Sequence, residues 1–183
     1  MGGLEEQLGR DLDAIRDAGL WRELRQVESA QAARITLGGR EWINFSSNDY
    51  LGLAGHPALG QAAKEAVERF GTGSGASRLV CGSLQPHHEL EATLAGWLGA
   101  ESALAFSSGF AAAQGALTSL LGQGDVVILD KKAHASMIDA AKLSGATLRV
   151  FRHNDLGNLE QRLQWAAAQG GRVLVATESL FSM

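Results

Sequence analysis

Short apolar runs alternate with longer amphipathic stretches over the second half of the chain. The short runs predict four strands, at residues 103–106, 126–129, 147–151 and 173–176. The stretches between them predict three helices, at residues 110–121, 135–143 and 156–168. Strands that alternate with helices of about ten to fifteen residues are typical of βαβ units. We therefore predict an α/β fold with a largely parallel sheet and helices on both of its faces.

The first part of the chain has a different pattern. Residues 4–27 are rich in helix formers, with leucines near helical spacing. They predict an N-terminal helical arm, which Gly19 is expected to bend or interrupt. Two β-rich runs within residues 33–45 lie on either side of Gly38 and Gly39, a pair that favours a tight β-hairpin.

Two prolines mark the next two helices. Pro57 is expected to begin a helix that reaches about Phe70, and an amphipathic helix follows Pro86. A glycine-rich loop, residues 71–83, lies between them. It follows a helix rather than a strand and lacks the Gly-x-Gly-x-x-Gly pattern, so a nicotinamide dinucleotide site is disfavoured. A loop that approaches another ligand or a second subunit is the alternative.

Composition restricts the class of protein. Apolar residues make up 45% of the chain and charged residues 20%, the balance of a soluble globular protein. The formal net charge of −4 favours neither a nucleic acid nor an anionic membrane as a partner. Cys81 is the single cysteine, so an internal disulfide is impossible and a reducing, cytoplasmic location is expected. The uncharged segment 102–124 is too rich in polar residues to predict a membrane span.

Polar residues follow the predicted strands at their carboxyl ends, the edge at which open α/β sheets bind ligands. The first strand leads into Ser108 and Gly109 at the start of a helix, the second leads to His134, and the fourth leads to Glu178 and Ser182. Free N–H groups at a helix start attract anions, so a phosphate group would suit this position. A simple helix cap without a ligand is the alternative.

Histidines are candidates for chemistry at the same edge. His134 stands between a predicted strand and a predicted helix, where an imidazole can stack on an aromatic ring or transfer a proton. A loop histidine without a role is the alternative. His87, His88 and Glu91 form no His-Glu-x-x-His pattern, and neighbouring helical residues point in different directions, so no metal is expected.

Seven short motifs occur in a single order along nearly the whole chain. They are residues 44–53 (NFSSNDYLGL), 71–78 (GTGSGASR), 87–91 (HHELE), 108–111 (SGFA), 134–136 (HAS), 153–155 (HND) and 177–183 (TESLFSM). Taken together, these motifs resemble the α-oxoamine synthase family of pyridoxal-phosphate enzymes. The resemblance implies the type I fold of PLP-dependent transferases, with pyridoxal 5′-phosphate (PLP) as the cofactor.

The resemblance also implies roles for individual residues. Cofactor contacts are implied at Ser108, Gly109, Phe110, His134, Glu178 and Ser182. Substrate contacts are implied at Arg22, Asn48 and His134. His134 is also the implied catalytic residue, because its ring would stack on the cofactor and contact the substrate. Ala113 departs from the family pattern, in which asparagine is usual, and this removes one expected hydrogen bond.

The implied reaction is an acyl transfer that forms a carbon–carbon bond and releases carbon dioxide. The Ser-Gly-Phe sequence at 108–110 favours the biotin-pathway member of the family, which joins L-alanine to a pimeloyl thioester of coenzyme A or a carrier protein. The alternatives are 2-amino-3-ketobutyrate coenzyme A ligase, 5-aminolevulinate synthase, serine palmitoyltransferase and a non-catalytic PLP-binding partner domain. The family further implies a homodimer in which each active site is shared by two chains.

The last predicted strand, 173–176, has no element after it to cover its free edge. We therefore expect the chain to be the front part of a larger enzyme. Residues 1–55 would form the helical arm and hairpin, and residues 56–183 the first part of the large cofactor-binding domain. In the family the lysine that forms the Schiff base comes later, and none of the four lysines here lies in that motif. The chain alone is expected to be inactive.

Overall fold

The computed structural model describes residues 3–182, so Met183, the last residue of the 177–183 motif, lies outside the described residues. The chain divides into two units, residues 1–75 and 76–183. The first unit contains α1 (Leu4–Asp17), β1 (Arg34–Leu37), β2 (Arg40–Ile43) and α2 (Pro57–Phe70). The second contains α3 (Gln85–Leu98), α4 (Gly109–Leu120), β3 (Val126–Asp130), α5 (Ala135–Ser144), β4 (Thr147–Phe151), α6 (Leu156–Ala167) and β5 (Val173–Ala176).

The helical arm is shorter than the run of helix formers that predicts it. Helix α1 ends at Asp17, two residues before Gly19, and the N–H of Leu20 donates to the carbonyl of Ile15 at 3.0 Å. Residues 20–33 form neither helix nor strand. The prediction that Gly19 interrupts the arm is therefore confirmed.

The predicted β-hairpin is present in the first unit. Strands β1 and β2 pair in antiparallel fashion, with Leu37 opposite Arg40. Gly38 and Gly39 form the two-residue turn, with φ values of +57° and +70°. Positive φ at both central positions is what a type I′ hairpin turn requires, and glycine adopts it without a steric penalty. The carboxylate of Glu28 accepts hydrogen bonds from both glycine N–H groups, at 3.1 and 3.0 Å, and so fixes the turn.

Helices α2 and α3 begin at the predicted prolines. Pro57 is the first residue of α2, where its missing N–H costs no hydrogen bond. The Nδ1 atom of His56 caps this helix by accepting the N–H of Ala58 at 3.3 Å. Helix α3 begins one residue before Pro86. The sequence prediction of both helices is confirmed.

The second unit is built around a parallel sheet with the strand order β4-β3-β5. Every residue of the central strand β3 is buried. Val127 and Leu129 pack with α4 and α5 on one face, and Val126 and Ile128 pack with α6 on the other. A strand covered on both faces is expected to be apolar throughout, as this one is up to Asp130. The predicted α/β fold with helices on both faces is confirmed.

The predicted strand at 103–106 is wrong. These residues are irregular in the structure, and among the described residues no strand pairs with them. The N–H of Ala105 instead donates to the carboxylate of Glu91 on α3, at 2.8 Å. Strand propensity describes fit to a paired, half-buried surface, so an apolar run without a pairing partner does not form a strand.

The uncharged segment 102–124 is divided between this irregular stretch and α4, which has 12 residues. Within residues 3–182, no helix has both the length and the apolar character needed to cross a membrane. Two of the segment's apolar residues, Leu117 and Leu121, belong to the core of the second unit beside β3.

Candidate functional site

A cavity of about 640 Å³ opens at the carboxyl ends of β3 and β5 in the second unit. This volume lies within the usual range of small-ligand pockets. Its walls combine apolar α4 side chains with polar groups from the two strand ends, including Gly109, Phe110, His134, Ser136 and Glu178. Carboxyl ends of parallel strands are where open α/β sheets bind ligands, so the cavity lies where the topology predicts a site.

The amino end of α4 forms one wall of the cavity. The Oγ atom of Ser108 caps the helix by accepting the N–H of Ala111 at 3.1 Å. The first N–H with an acceptor in the helix backbone is that of Ala112, which donates to the Ser108 carbonyl at 3.0 Å. The N–H groups of Gly109 and Phe110 come before it and remain available to a ligand. A Cβ atom built on Gly109 would meet nothing within 4 Å, so open space lies beside this backbone. The helix start therefore fits an anionic group such as a phosphate.

His134 lies across the cavity at the start of α5. Its backbone N–H donates to the Oε2 atom of Glu178 at 2.8 Å, which joins the segments after β3 and β5. Its ring Nδ1 accepts the N–H of Ser136 at 3.2 Å and lies 2.8 Å from the Ser136 hydroxyl. Because Nδ1 accepts a backbone N–H, the neutral ring carries its proton on Nε2.

The other sequence-predicted residues are placed as follows. Ser182 is exposed and is not among the described residues that line the cavity. Arg22 and Asn48 belong to the first unit and are exposed there. The Nη1 atom of Arg22 donates to the carbonyl of Trp21 at 3.2 Å. The roles implied for these three residues stay predictions.

Sequence reasoning placed Asp130 at a strand end but gave no role to this carboxylate, which the structure buries. Asp130 ends β3 with an exposed fraction of 2%. Burial by itself would raise the pKa of this carboxyl. Hydrogen bonds from the Lys132 N–H, the His153 ring and the Asn154 N–H outweigh that effect, so the pKa is lowered. The available signal was a single acidic residue at the end of an otherwise apolar strand.

A second carboxylate supports the chain segment that leads to α4. Glu91 forms a two-pronged ion pair with Arg78, at 2.6 and 2.9 Å, and also accepts the N–H of Ala105. The Arg78 hydrogen bond, followed by the Ala105 N–H, lowers the pKa of Glu91 to about 2. Glu91 therefore fixes the backbone that runs from Ala105 into the Ser108 cap.

The histidines near Glu91 are engaged separately. His87 Nδ1 accepts the N–H of Leu84 at 3.0 Å, and His88 Nε2 lies 3.0 Å from the hydroxyl of Ser83. Over residues 3–182, no three His, Cys, Asp or Glu side chains are grouped so as to hold a metal ion. These contacts join the start of α3 to the residues that precede it.

Fold and site together define an α/β protein with a ligand-sized cavity at the carboxyl edge of a parallel sheet, beside a helix start that fits an anion. The sequence profile of the aminotransferase class I and II family matches residues 40–183, and the chain belongs to this family.

Two curated relatives and one solved structure show which enzymes this chain is similar to. An 8-amino-7-oxononanoate synthase of Geobacter sulfurreducens is 47% identical over 98% of this chain and 46% of its own length. That of Geotalea daltonii is 45% identical over 97% of this chain and 45% of its own. A solved serine palmitoyltransferase from S. paucimobilis with a bound PLP–myriocin aldimine is 30% identical with a TM-score of 0.87, covering 100% of this chain and 47% of that one. The chain thus spans about half the length of these relatives.

Proposed function

We propose that this chain supplies the cofactor-binding part of an 8-amino-7-oxononanoate synthase. The proposed reaction is the PLP-dependent condensation of L-alanine with a pimeloyl thioester of coenzyme A or a carrier protein, a step of biotin synthesis. The identity of 45–47% to synthases of that name, over 97–98% of the chain, is the observation that carries the proposal. The cavity beside α4 supports it, because its helix start and polar walls fit a phosphorylated ring.

The cofactor contacts follow from the cavity walls. When bound, PLP supplies an electron sink for the carbanion of an amino acid. The N–H groups of Gly109 and Phe110 would bind its phosphate, with Ser108 fixing the helix start. His134 would lie against the ring as the catalytic residue, with its Nε2–H directed to substrate oxygens. Glu178 would hold the His134 backbone in place, and Ser182 would contact the cofactor from the same segment.

Substrate recognition is proposed for the first unit. The Arg22 guanidinium suits a carboxylate, and Asn48 would contact the bound amino acid. We propose that residues 1–55 form the arm and hairpin, that residues 56–183 belong to the large cofactor-binding domain, and that two chains form a homodimer with shared sites. The single cysteine supports a reducing, cytoplasmic location.

Titration with PLP tests the cofactor proposal directly. We expect saturable binding to the chain, followed by the absorbance of the cofactor, and competition by inorganic phosphate. Pyridoxal without the phosphate should bind much more weakly, because the α4 helix start recognises the anion. Equal binding of both compounds would contradict the proposed site.

Serine palmitoyltransferase is the second candidate, because solved enzymes of that name match the whole chain at a TM-score of 0.87. Their identity of 30–31% is lower than that of the synthases, which favours the first proposal. Adding L-alanine, glycine or L-serine to the PLP complex separates the candidates. The first proposal expects the absorbance to respond to L-alanine; a response to L-serine alone would favour the second candidate.

A further inference from the structure

The buried carboxylate of Asp130 joins the two chain segments that follow β3 and β4. Its Oδ1 atom accepts the N–H of Lys132 at 2.7 Å and lies 3.0 Å from the ring Nδ1 of His153. Its Oδ2 atom accepts the N–H of Asn154 at 3.2 Å. Lys132 belongs to the segment between β3 and His134, whereas His153 and Asn154 follow β4. One carboxylate thus holds the segments after β3 and β4 together.

The ring of His153 extends this connection to a third segment. An ionised carboxylate only accepts hydrogen bonds, so Nδ1 of His153 is the donor to Asp130. Nε2 is then free to accept from the side-chain amide of Asn154, 3.2 Å away. The ring also meets Phe181 edge to face, with 4.6 Å between ring centroids and an interplanar angle of 85°. Phe181 lies between Glu178 and Ser182, in the segment after β5.

The backbone of Asn154 adopts an uncommon conformation that these contacts maintain. Its φ is +53°, the one positive value among the described non-glycine residues. Such a conformation is sparsely populated and persists where the surrounding contacts impose it. The bond from the Asn154 N–H to Asp130 is such a contact. The contact with Asp130 therefore holds the Asn154 backbone, and with it the neighbouring His153, in a conformation that the chain would otherwise adopt only rarely.

We propose that Asp130 and His153 are positioning residues that set the placement of the segment 178–182 relative to His134 across the cavity. Asp130 acts on the His134 side through the Lys132 N–H, and on the other side through His153 and Phe181. Neither Asp130 nor His153 lines the cavity. The geometric claim stands on these contacts alone, whereas its consequence for PLP affinity rests on the proposed function.

Hydrogen–deuterium exchange tests the geometric claim without a ligand. The variants are Asp130→Asn, which keeps the shape of the side chain, and Phe181→Leu, which removes only the ring contact. Asp139→Asn is the matched control, an exposed aspartate on α5. We expect faster exchange of the His134 N–H, which donates to Glu178, for both test variants and wild-type exchange for the control. Unchanged exchange of that amide in Phe181→Leu would overturn the proposal.

PLP titration then tests the consequence for binding. Residues that orient a first layer of ligands typically change affinity about 10- to 100-fold, so we expect about a tenfold loss for Phe181→Leu at an unchanged melting temperature. Asp130→Asn should weaken binding at least as much, and the double variant should lose less than the product of the two factors. Fully multiplicative losses would overturn the proposed coupling. Absent PLP binding by the wild type would instead reject the proposed function, and the exchange data would still decide the geometric claim.

Discussion

At the scale of the single residue, Gly109 stands at the first position of α4, where a side chain would meet open space. Its φ is not positive, so an alanine can adopt the same backbone conformation. The reason for a glycine at this position is then the room that it leaves for a ligand. Space beside two free N–H groups is what close approach of a phosphate to the backbone requires.

The Gly109→Ala substitution tests whether the glycine leaves room for a ligand. We expect the thermal unfolding temperature to stay the same or rise slightly, because alanine favours a helix over glycine. PLP affinity should fall by about tenfold, since the added methyl group occupies the ligand's space. Gly96→Ala is the matched control, because Gly96 lies in α3 with nothing within 4 Å of its Cβ position. Unchanged affinity in Gly109→Ala would place the phosphate elsewhere.

At the scale of the elements, the Arg78–Glu91 ion pair connects the glycine-rich loop with α3 and, through Ala105, with the segment that precedes α4. The lowered pKa of Glu91, about 2 against an ordinary 4.5, is also a statement about stability. The folded state binds this proton more weakly than the unfolded state. The stabilisation is therefore complete above pH 4.5 and is lost as the pH falls from about 4.5 to about 2.

Urea unfolding at a series of pH values measures this contribution. We expect Glu91→Gln to lose stability less steeply than the wild type between about pH 4.5 and pH 2, because the variant has no carboxylate to protonate there. Some acid destabilisation should remain, since Asp125 and Asp130 also have lowered pKa values. Glu160→Gln, an exposed glutamate on α6, should follow the wild-type profile. Identical slopes in the wild type and Glu91→Gln would contradict the importance of the pair.

The central strand allows a second test at this scale. Ile128 lies on β3 with an exposed fraction of 0%, whereas Val150 on the edge strand β4 has 41%. We expect Ile128→Ala to lower the free energy of unfolding by about 3 kcal/mol, because a cavity forms against α6. Val150→Ala should cost less than about 1 kcal/mol, since water already reaches this side chain. Equal losses of unfolding free energy in the two variants would contradict the burial of β3 at the centre of the core.

At the scale of the whole molecule, the sequence predictions are accurate where a local pattern determines the structure and fail where a distant segment determines it. The β3, β4 and β5 strands and the α2 helix were predicted to within a residue because apolar runs, prolines and glycines act locally. The prediction of a strand at 103–106 failed because a strand depends on a pairing partner, and the Ala105 N–H donates to Glu91 instead. Gly109, His134 and Glu178 could be found from the strand ends. Asp130 also ends a predicted strand, but its contacts with His153 and Asn154 could not be predicted, because they depend on how the segments after β3 and β4 pack together.

A ligand that binds the folded molecule raises its free energy of unfolding, so unfolding measurements test the proposed cofactor. A ligand that binds only the folded chain adds about 2.7 kcal/mol to the free energy of unfolding at a concentration of about 100 times its Kd. PLP should produce this stabilisation, measured as a rise in the urea midpoint. Gly109→Ala should show about 1.4 kcal/mol less at the same concentration, the equivalent of tenfold weaker binding. Pyridoxal without phosphate should stabilise the wild type and Gly109→Ala equally weakly. If it stabilised the wild type as strongly as PLP, the phosphate would make no use of the α4 helix start, and the cavity would need another ligand.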